Sequence, residues 1–401
     1  MKDINSAHEA IVFLLKKATN DDWVLIEESL NIAKKNAQPQ KDAQQPLNKS
    51  LFDSLNWPTD RYSYINYLNA FIRWIPQQSG EIAWRNPKTL NSQEVYDRLC
   101  HYYYLVDQKT SSGILAQNIP WFSEFLVTYA NYWGDFLNTP ESFNDTILYS
   151  FMKFSPDYRI HDSMVNGQPN APWNSFNDFF ARELNEGLRQ IDSPSDNQIV
   201  TMPADCTFRK KYAIDQNSDI PEITIKQTHR YGNINELLKG SQYSNSFANG
   251  TFAHYFLGPY SYHRFHVPVS GVVKESYATK GLTFLEVNIS ANGQFDAPDN
   301  AENGYQFLQA RGIITIDTTD SPEGDLGIVA VIPIGMCQVS SVHMIATPNS
   351  KVSKGDAFGF FKFGGSDIIL LFQEGKSPLI NECTNYRHYG NNISTCPPPY
   401  K

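Results

Sequence analysis

Apolar residues recur with a helical period through the first 170 residues and with a strand-like cadence from about residue 195. Ala10, Ile11, Leu14 and Leu15 share one helical face, and Trp23, Ile26, Leu30 and Ala33 share another. A polar, Gln-rich stretch from Asn36 to Asn48, with two prolines, interrupts the pattern and reads as a loop. Helices are expected again over 62–75, 92–106, 120–133 and 145–154. In the third of these, Trp121, Phe122, Phe125, Leu126, Tyr129 and Trp133 form an aromatic stripe of the kind that faces a core. Near Pro172 the text changes, and 173–184 (WNSFNDFFAREL) predicts a short aromatic helix capped by Asn174 or Ser175. After Pro194, β-branched and aromatic runs are punctuated by Gly, Pro, Asn and Asp. They predict strands at 199–202, 222–225, 251–257, 271–275, 283–287, 312–317, 328–333, 338–345 and 367–372. The expectation is an α+β chain: a helical domain over 1–172, a β-rich catalytic domain of partly barrel-like sheets over 173–376, and an irregular tail over 377–401.

A length of 401 residues suits two or three domains, taking about 150 residues for each. Hydrophobic residues make up 41% and aromatic residues 13%, which supports a sizeable core and excludes wholesale disorder. Charged residues are 19%, too few for a coiled coil. Lys and Arg number 33 against 42 acidic residues, a net charge of -9. That balance argues against a main task of gripping nucleic acid or anionic lipid. The apolar run Ala10–Leu15 is closed by Lys16 and Lys17, too short for a secretory segment. The run from Gly327 to Met336 is broken by Pro333 and is half the length of a membrane span, which needs about 20 residues. No transmembrane segment is expected, and a cytoplasmic location is the default. A surface helix docking peripherally on lipid stays compatible with the sequence. Cys100, Cys206, Cys337, Cys383 and Cys396 are scattered without a CxxC pair, so no metal site and no disulfide framework is expected. Cys383 with Cys396 is the candidate bridge in the tail, weaker than the reading of reduced thiols.

Three clusters in the β region bear chemistry. Met202-Pro203-Ala204-Asp205-Cys206 sets an acid at the end of an apolar run. Tyr262-His263-Arg264-Phe265-His266-Val267-Pro268 holds two histidines, and Phe363-Gly364-Gly365-Ser366-Asp367 holds a serine behind two glycines. Each alone is ordinary: an Asp before a turn, surface histidines, a flexible glycine turn. In a strand, positions three apart point to opposite faces, so both histidines reach one site only if the chain bends near Pro268. Together the clusters supply a nucleophile, an imidazole base and an orienting carboxylate. There is no GxSxG elbow. With only glycine before it, the serine hydroxyl has open access to the preceding carbonyl, an arrangement suited to intramolecular attack on its own peptide bond.

From Phe176 to Gly375 the sequence resembles the phosphatidylserine decarboxylase family, the pyruvoyl-dependent, self-processing decarboxylases. The resemblance rests on Phe176–Leu184, Pro203-Ala204-Asp205, Ile225-Lys226 with Leu237-Leu238, Leu257–Pro268, Lys354-Gly355-Asp356 and Phe361–Ser366. The YHRFH and GGS segments are its most specific parts. It implies that Ser366 attacks the Gly365 carbonyl, that the resulting ester eliminates, and that hydrolysis of the dehydroalanine leaves a pyruvoyl group at position 366. It implies His266 as base of that cleavage, Asp205 as its orienting acid, and His263 as proton donor in decarboxylation. The pyruvoyl carbonyl would form a Schiff base with the substrate amine and draw off electrons as CO₂ leaves, with no other cofactor and no metal. The mature protein would be two associated chains, 1–365 and 366–401. The long helical N-terminal part is similar to that of relatives acting on free amino acids, such as the fungal tryptophan decarboxylases.

Two positions depart from the family pattern. Cys206 stands where the family has Gly, which predicts a loop of different shape. Asp367 stands where the family has Thr or Ser, and a carboxylate there would repel a substrate carboxylate unless turned away or paired. A free, aromatic amino acid is the favoured substrate, with phosphatidylserine, giving phosphatidylethanolamine, as the near-equal alternative. A non-catalytic scaffold of the same fold and a plain serine hydrolase using Ser366, His266 and Asp205 remain as other readings. Homo-oligomer formation is left open.

Overall fold

The computed structural model describes residues 9, 11–14, 16–39, 46–220, 232–297, 304–336 and 342–398. The chain divides into two compact units, and neither is a single run of sequence. The first takes residues 1–160, 172–179 and 282–298; the second takes 161–171, 180–281 and 299–401. Beside the expected boundaries after 172 and 376, residues 161–171 group with the β-rich unit and 173–179 with the helical unit. The segment 282–298 folds with the helical unit, and the tail folds with the β-rich unit.

The helical unit follows its aromatic pattern. Helix α1 (Asn20–Ala37) starts at a capping box between Thr19 and Asp22 and buries Trp23, Ile26, Leu30 and Ala33. Helices α2 (Lys49–Asp53), α3 (Arg61–Phe71), α4 (Glu94–Tyr104), α5 (Pro120–Phe136) and α6 (Asp145–Phe154) follow. The α5 stripe is core: Phe122, Phe125, Leu126, Tyr129 and Trp133 are buried, and Trp133 stacks on Trp74. The expected strand at 283–287 does not form. Two of its backbone groups are bonded to side chains within the helical unit instead, Val287 N donating to Asp107 and the Leu285 carbonyl accepting from Gln117 Nε2.

The β-rich unit is built on one antiparallel sheet of seven strands: β3 (Thr207–Ala213), β4 (Thr251–Leu257), β6 (Gly271–Thr279), β9 (Arg311–Asp317), β10 (Ile328–Met336), β12 (Lys351–Val352) and β14 (Gly365–Phe372). Their order across the sheet is β12-β6-β9-β10-β14-β4-β3, with open edges rather than a closed barrel. A second sheet joins β5 (Arg264–His266), β13 (Ala357–Phe361) and β11 (Val342–Met344), with β13 in the middle; β1 (Met164–Val165) pairs with β2 (Gln168–Pro169), and in the helical unit β7 (Asn288–Ile289) pairs with β8 (Phe295–Asp296). Strand β14 pairs along its two edges with β10 and β4, and its side chains are buried on both faces. Ile368, Leu370 and Phe372 enter one core with Val329, Val331 and Tyr255. Ile369 and Leu371 enter the other with Ala330, Ile332 and Phe252. Burial on both sides explains an uninterrupted apolar run where one exposed face would give alternation.

Of the remaining expected strands, 199–202 is reduced to a bridge between Thr201 and Asn392. The expected strand at 222–225, and the Ile225-Lys226 segment, lie outside the described residues, as does the first part of 338–345. The tail has no helix or strand among its described residues, yet it is embedded: Arg387 and Ile393 are fully buried. The reading of reduced thiols is corrected there, since Cys383 and Cys396 are bonded. Cys100 and Cys206 are buried and lie outside any disulfide. No helix among the described residues is long and apolar enough to cross a membrane, and no metal-binding group of His, Cys, Asp or Glu occurs among them.

Candidate active site

Ser366 enters the site as the second residue of β14, fully buried, paired across the sheet with Leu257 and Gly335. The turn before it depends on glycine: Gly364 has φ +150°, a conformation side-chain-bearing residues rarely adopt. His263 approaches from the segment before β5. Its Nδ1 lies 3.2 Å from Ser366 Oγ, and its ring stacks on Phe180 with centroids 4.0 Å apart. Burial, helped by the nearby Arg182 charge, lowers the His263 pKa to about 3, so the ring is neutral at physiological pH.

His266, three residues on, is held separately. Its Nδ1 donates to the Gly355 carbonyl at 2.7 Å. Gly355 has φ +93°, and a Cβ there would meet Ile191 at 2.7 Å, so this turn too requires glycine. Because a carbonyl only accepts, Nδ1 carries the proton and Nε2 the lone pair. Nε2 is buried without a hydrogen-bond partner. Burial lowers the His266 pKa to about 4.

Asp205, the expected orienting acid of His266, has three other partners. Asp205 Oδ2 accepts from Arg189 Nη2 at 2.8 Å and from His388 Nδ1 at 2.8 Å, while Oδ1 accepts Tyr389 N–H at 2.8 Å. Burial works to raise the Asp205 pKa, but the His388 hydrogen bond and the Arg189 charge outweigh it and hold the carboxyl ionised. The ring lying on His266 is that of Tyr389, 3.7 Å away and 2° from parallel. The tail residues His388 and Tyr389 had no signal in the sequence, being more than 180 positions from Asp205 in a stretch without periodicity.

Both departures from the family pattern are accommodated. Cys206 does not take a positive φ; it forms a backbone bridge with Arg387. Asp367 is fully buried, its Oδ2 accepting the Tyr305 hydroxyl at 2.7 Å with His254 Nε2 3.2 Å away.

The family model described as phosphatidylserine decarboxylase matches residues 176–393, more than half of the chain. A relative from Oryza sativa subsp. japonica, phosphatidylserine decarboxylase proenzyme 2, is 29% identical over 60% of this chain and 35% of its own length. The phosphatidylserine decarboxylase proenzyme of Chlamydia trachomatis serovar L2 is 31% identical over 56% of this chain and 68% of its own. Decarboxylase iboD of Amanita muscaria is 25% identical over 66% of this chain and 80% of its own. The match thus spans about a third of the rice protein and larger shares of the other two.

Proposed function

Because the chain belongs to the phosphatidylserine decarboxylase family, we propose that it is a proenzyme that cleaves itself between Gly365 and Ser366 and then removes the α-carboxyl of an amine-bearing substrate. The observation that carries this reading is Ser366 itself, fully buried behind a positive-φ glycine, with Nδ1 of His263, the proposed proton donor of decarboxylation, 3.2 Å from its hydroxyl.

The residues fit a pyruvoyl group formed in place. Ser366 Oγ attacks the Gly365 carbonyl carbon, transferring that acyl group from nitrogen to oxygen and freeing the Ser366 amine. Loss of the Ser366 α-proton then expels the Gly365 carboxylate, and water replaces the resulting imine nitrogen, which leaves as ammonia. His266 is prepared as the base of these proton transfers, since its Nδ1–H is committed to Gly355 and its Nε2 lone pair is available. The described contacts do not join Nε2 to Ser366, and hydrogen bonds in such sites often tighten only along the reaction.

A pyruvoyl group at position 366 would supply an electrophilic carbonyl for the substrate amine and a sink for the electrons left as CO₂ departs. His263 faces this same position. Neutral before substrate arrives, its ring is placed to relay a proton, one nitrogen accepting as the other gives up its hydrogen, from the substrate ammonium to the carbon that loses CO₂.

For the substrate we favour a free α-amino acid with an aromatic side chain. Supporting it are the net charge of -9 and the Phe180 and Phe361 rings around His263 with Phe363 beside Phe180; the match to the Amanita relative, named only as a decarboxylase, is compatible with it. The alternative, phosphatidylserine to phosphatidylethanolamine, is favoured by the names of the rice and Chlamydia relatives. Intact mass should reveal chains 1–365 and 366–401, the second with a hydrazine-reactive carbonyl. A single unmodified chain refutes the proposal. CO₂ release from a panel of amino acids and from phosphatidylserine micelles decides the substrate. Turnover of the lipid alone overturns the amino-acid preference.

A further inference from the structure

The stretch that reaches Asp205 and His266 comes from the tail, which lacks regular structure and is fixed by other means. Arg387 exchanges both backbone hydrogen bonds with Cys206 at 2.9 Å, and its guanidinium donates to the carbonyls of Ile393, Asn381 and Cys383. Asn392 N donates to Asp192 at 2.7 Å. The residues immediately after this anchor are His388 and Tyr389, both gripped by Asp205. Tyr389 then lies flat on His266.

Two contacts therefore orient the His266 ring. The Gly355 carbonyl fixes its rotation within the ring plane, and the Tyr389 face fixes the plane. We propose that Tyr389 is a positioning residue for His266, and that Asp205 acts on His266 through Tyr389 rather than by direct hydrogen bonding. This inference rests on the reading of His266 as the base of self-cleavage. The carboxylate holds the backbone of residue 389, and the aromatic ring transmits that placement to the imidazole. Tyr389 also keeps water from one face of His266. The other groups facing the imidazole are Tyr262 and the charges of Asp205, Arg264 and Asp356.

The test is a cell-free translation of the full chain followed by a chase in buffers from pH 4.5 to 8, with cleavage read by gel and mass. Tyr389→Leu should slow self-cleavage at least tenfold at pH 7. Its acidic limb should move from near pH 4 up toward the ordinary histidine value, about 6.5, as water reaches the ring. Tyr389→Phe keeps the ring and should keep both rate and profile. Wild-type cleavage by Tyr389→Leu overturns the inference. So does slow cleavage by both variants with an unshifted limb, which would mark a merely structural role. His266→Ala is the control: if it cleaves normally, the assignment of the base fails; if it alone is blocked, only the role of Tyr389 fails.

Discussion

Ser366 and Asp367 are adjacent in sequence and face opposite sides of one sheet. Side chains along a strand alternate, and the residues that follow confirm the sides: Ile368 and Leu370 share one core, Ile369 and Leu371 the other. The carboxylate next to the cleavage point is therefore directed away from the serine and into a pocket with Tyr305 and His254.

Asp367→Ala should cost stability rather than selectivity. Removing the carboxylate strips the buried Tyr305 hydroxyl of its acceptor, a loss of about 3 kcal/mol. Urea denaturation should show a lower midpoint, with the relative rates on different substrates unchanged. A variant that is as stable as the parent but switches substrate would contradict this placement.

The two site histidines should separate by phenotype. His266→Ala and Asp205→Ala are expected to accumulate uncleaved chain, the second because Tyr389 loses its anchor. His263→Ala should cleave and then decarboxylate more slowly by about 10²–10⁴. Gel analysis with CO₂ release reads both. Uncleaved His263→Ala beside normally processed His266→Ala would reverse the two roles.

Acidification should weaken the fold before it silences the cleavage base. With folded pKa values of about 3 and about 4, His263 and His266 bind protons less readily than in the unfolded chain, where histidine titrates near about 6.5. Their contribution is fully present above that value and is lost as pH falls toward the folded values. Urea midpoints should drop between pH 7 and 5, while self-cleavage stays flat over the same range. A stability profile without slope there would show that neither ring is buried neutral.

Lys354 is expected to be irreplaceable by an apolar side chain. Its Nζ donates to the carbonyls of Ser193, Asp196 and Ile199 at 2.6–2.7 Å, and the next residue, Gly355, supplies the acceptor for His266. Lys354→Met leaves those carbonyls without their donor and should lower stability by about 3 kcal/mol. Thermal melting checks it, and an unchanged melting temperature would refute it.

Local chemistry was legible and distant closure was not. The Tyr262–His266 and Gly364–Ser366 segments could be read because each packs its residue types into a few consecutive positions. Strands 251–257 and helix 145–154 matched their patterns because one or both faces are buried at the expected period. The 283–287 run looked like a strand by composition, but alternation cannot tell a sheet from an extended segment whose hydrogen bonds go to Asp107 and Gln117. His388 and Tyr389 sit among Asn, Tyr and Pro with no repeat to mark them, and only the fold carries them to Asp205.

The position of β14 between β10 and β4 changes what unfolding means for the proposed mature enzyme. A cut before Ser366 gives an interior strand of the sheet to a separate short polypeptide, laddered to its neighbours on both flanks. The proenzyme melts as one molecule, so its midpoint is indifferent to how dilute it is. The cleaved form melts by dissociation, and its midpoint should climb with protein concentration. Once parted, the fragments must find each other as two solutes and rebuild a sheet around a missing interior strand. Processing therefore makes the fold a one-time assembly, completed while the chain is whole and retained afterwards by the slowness of escape.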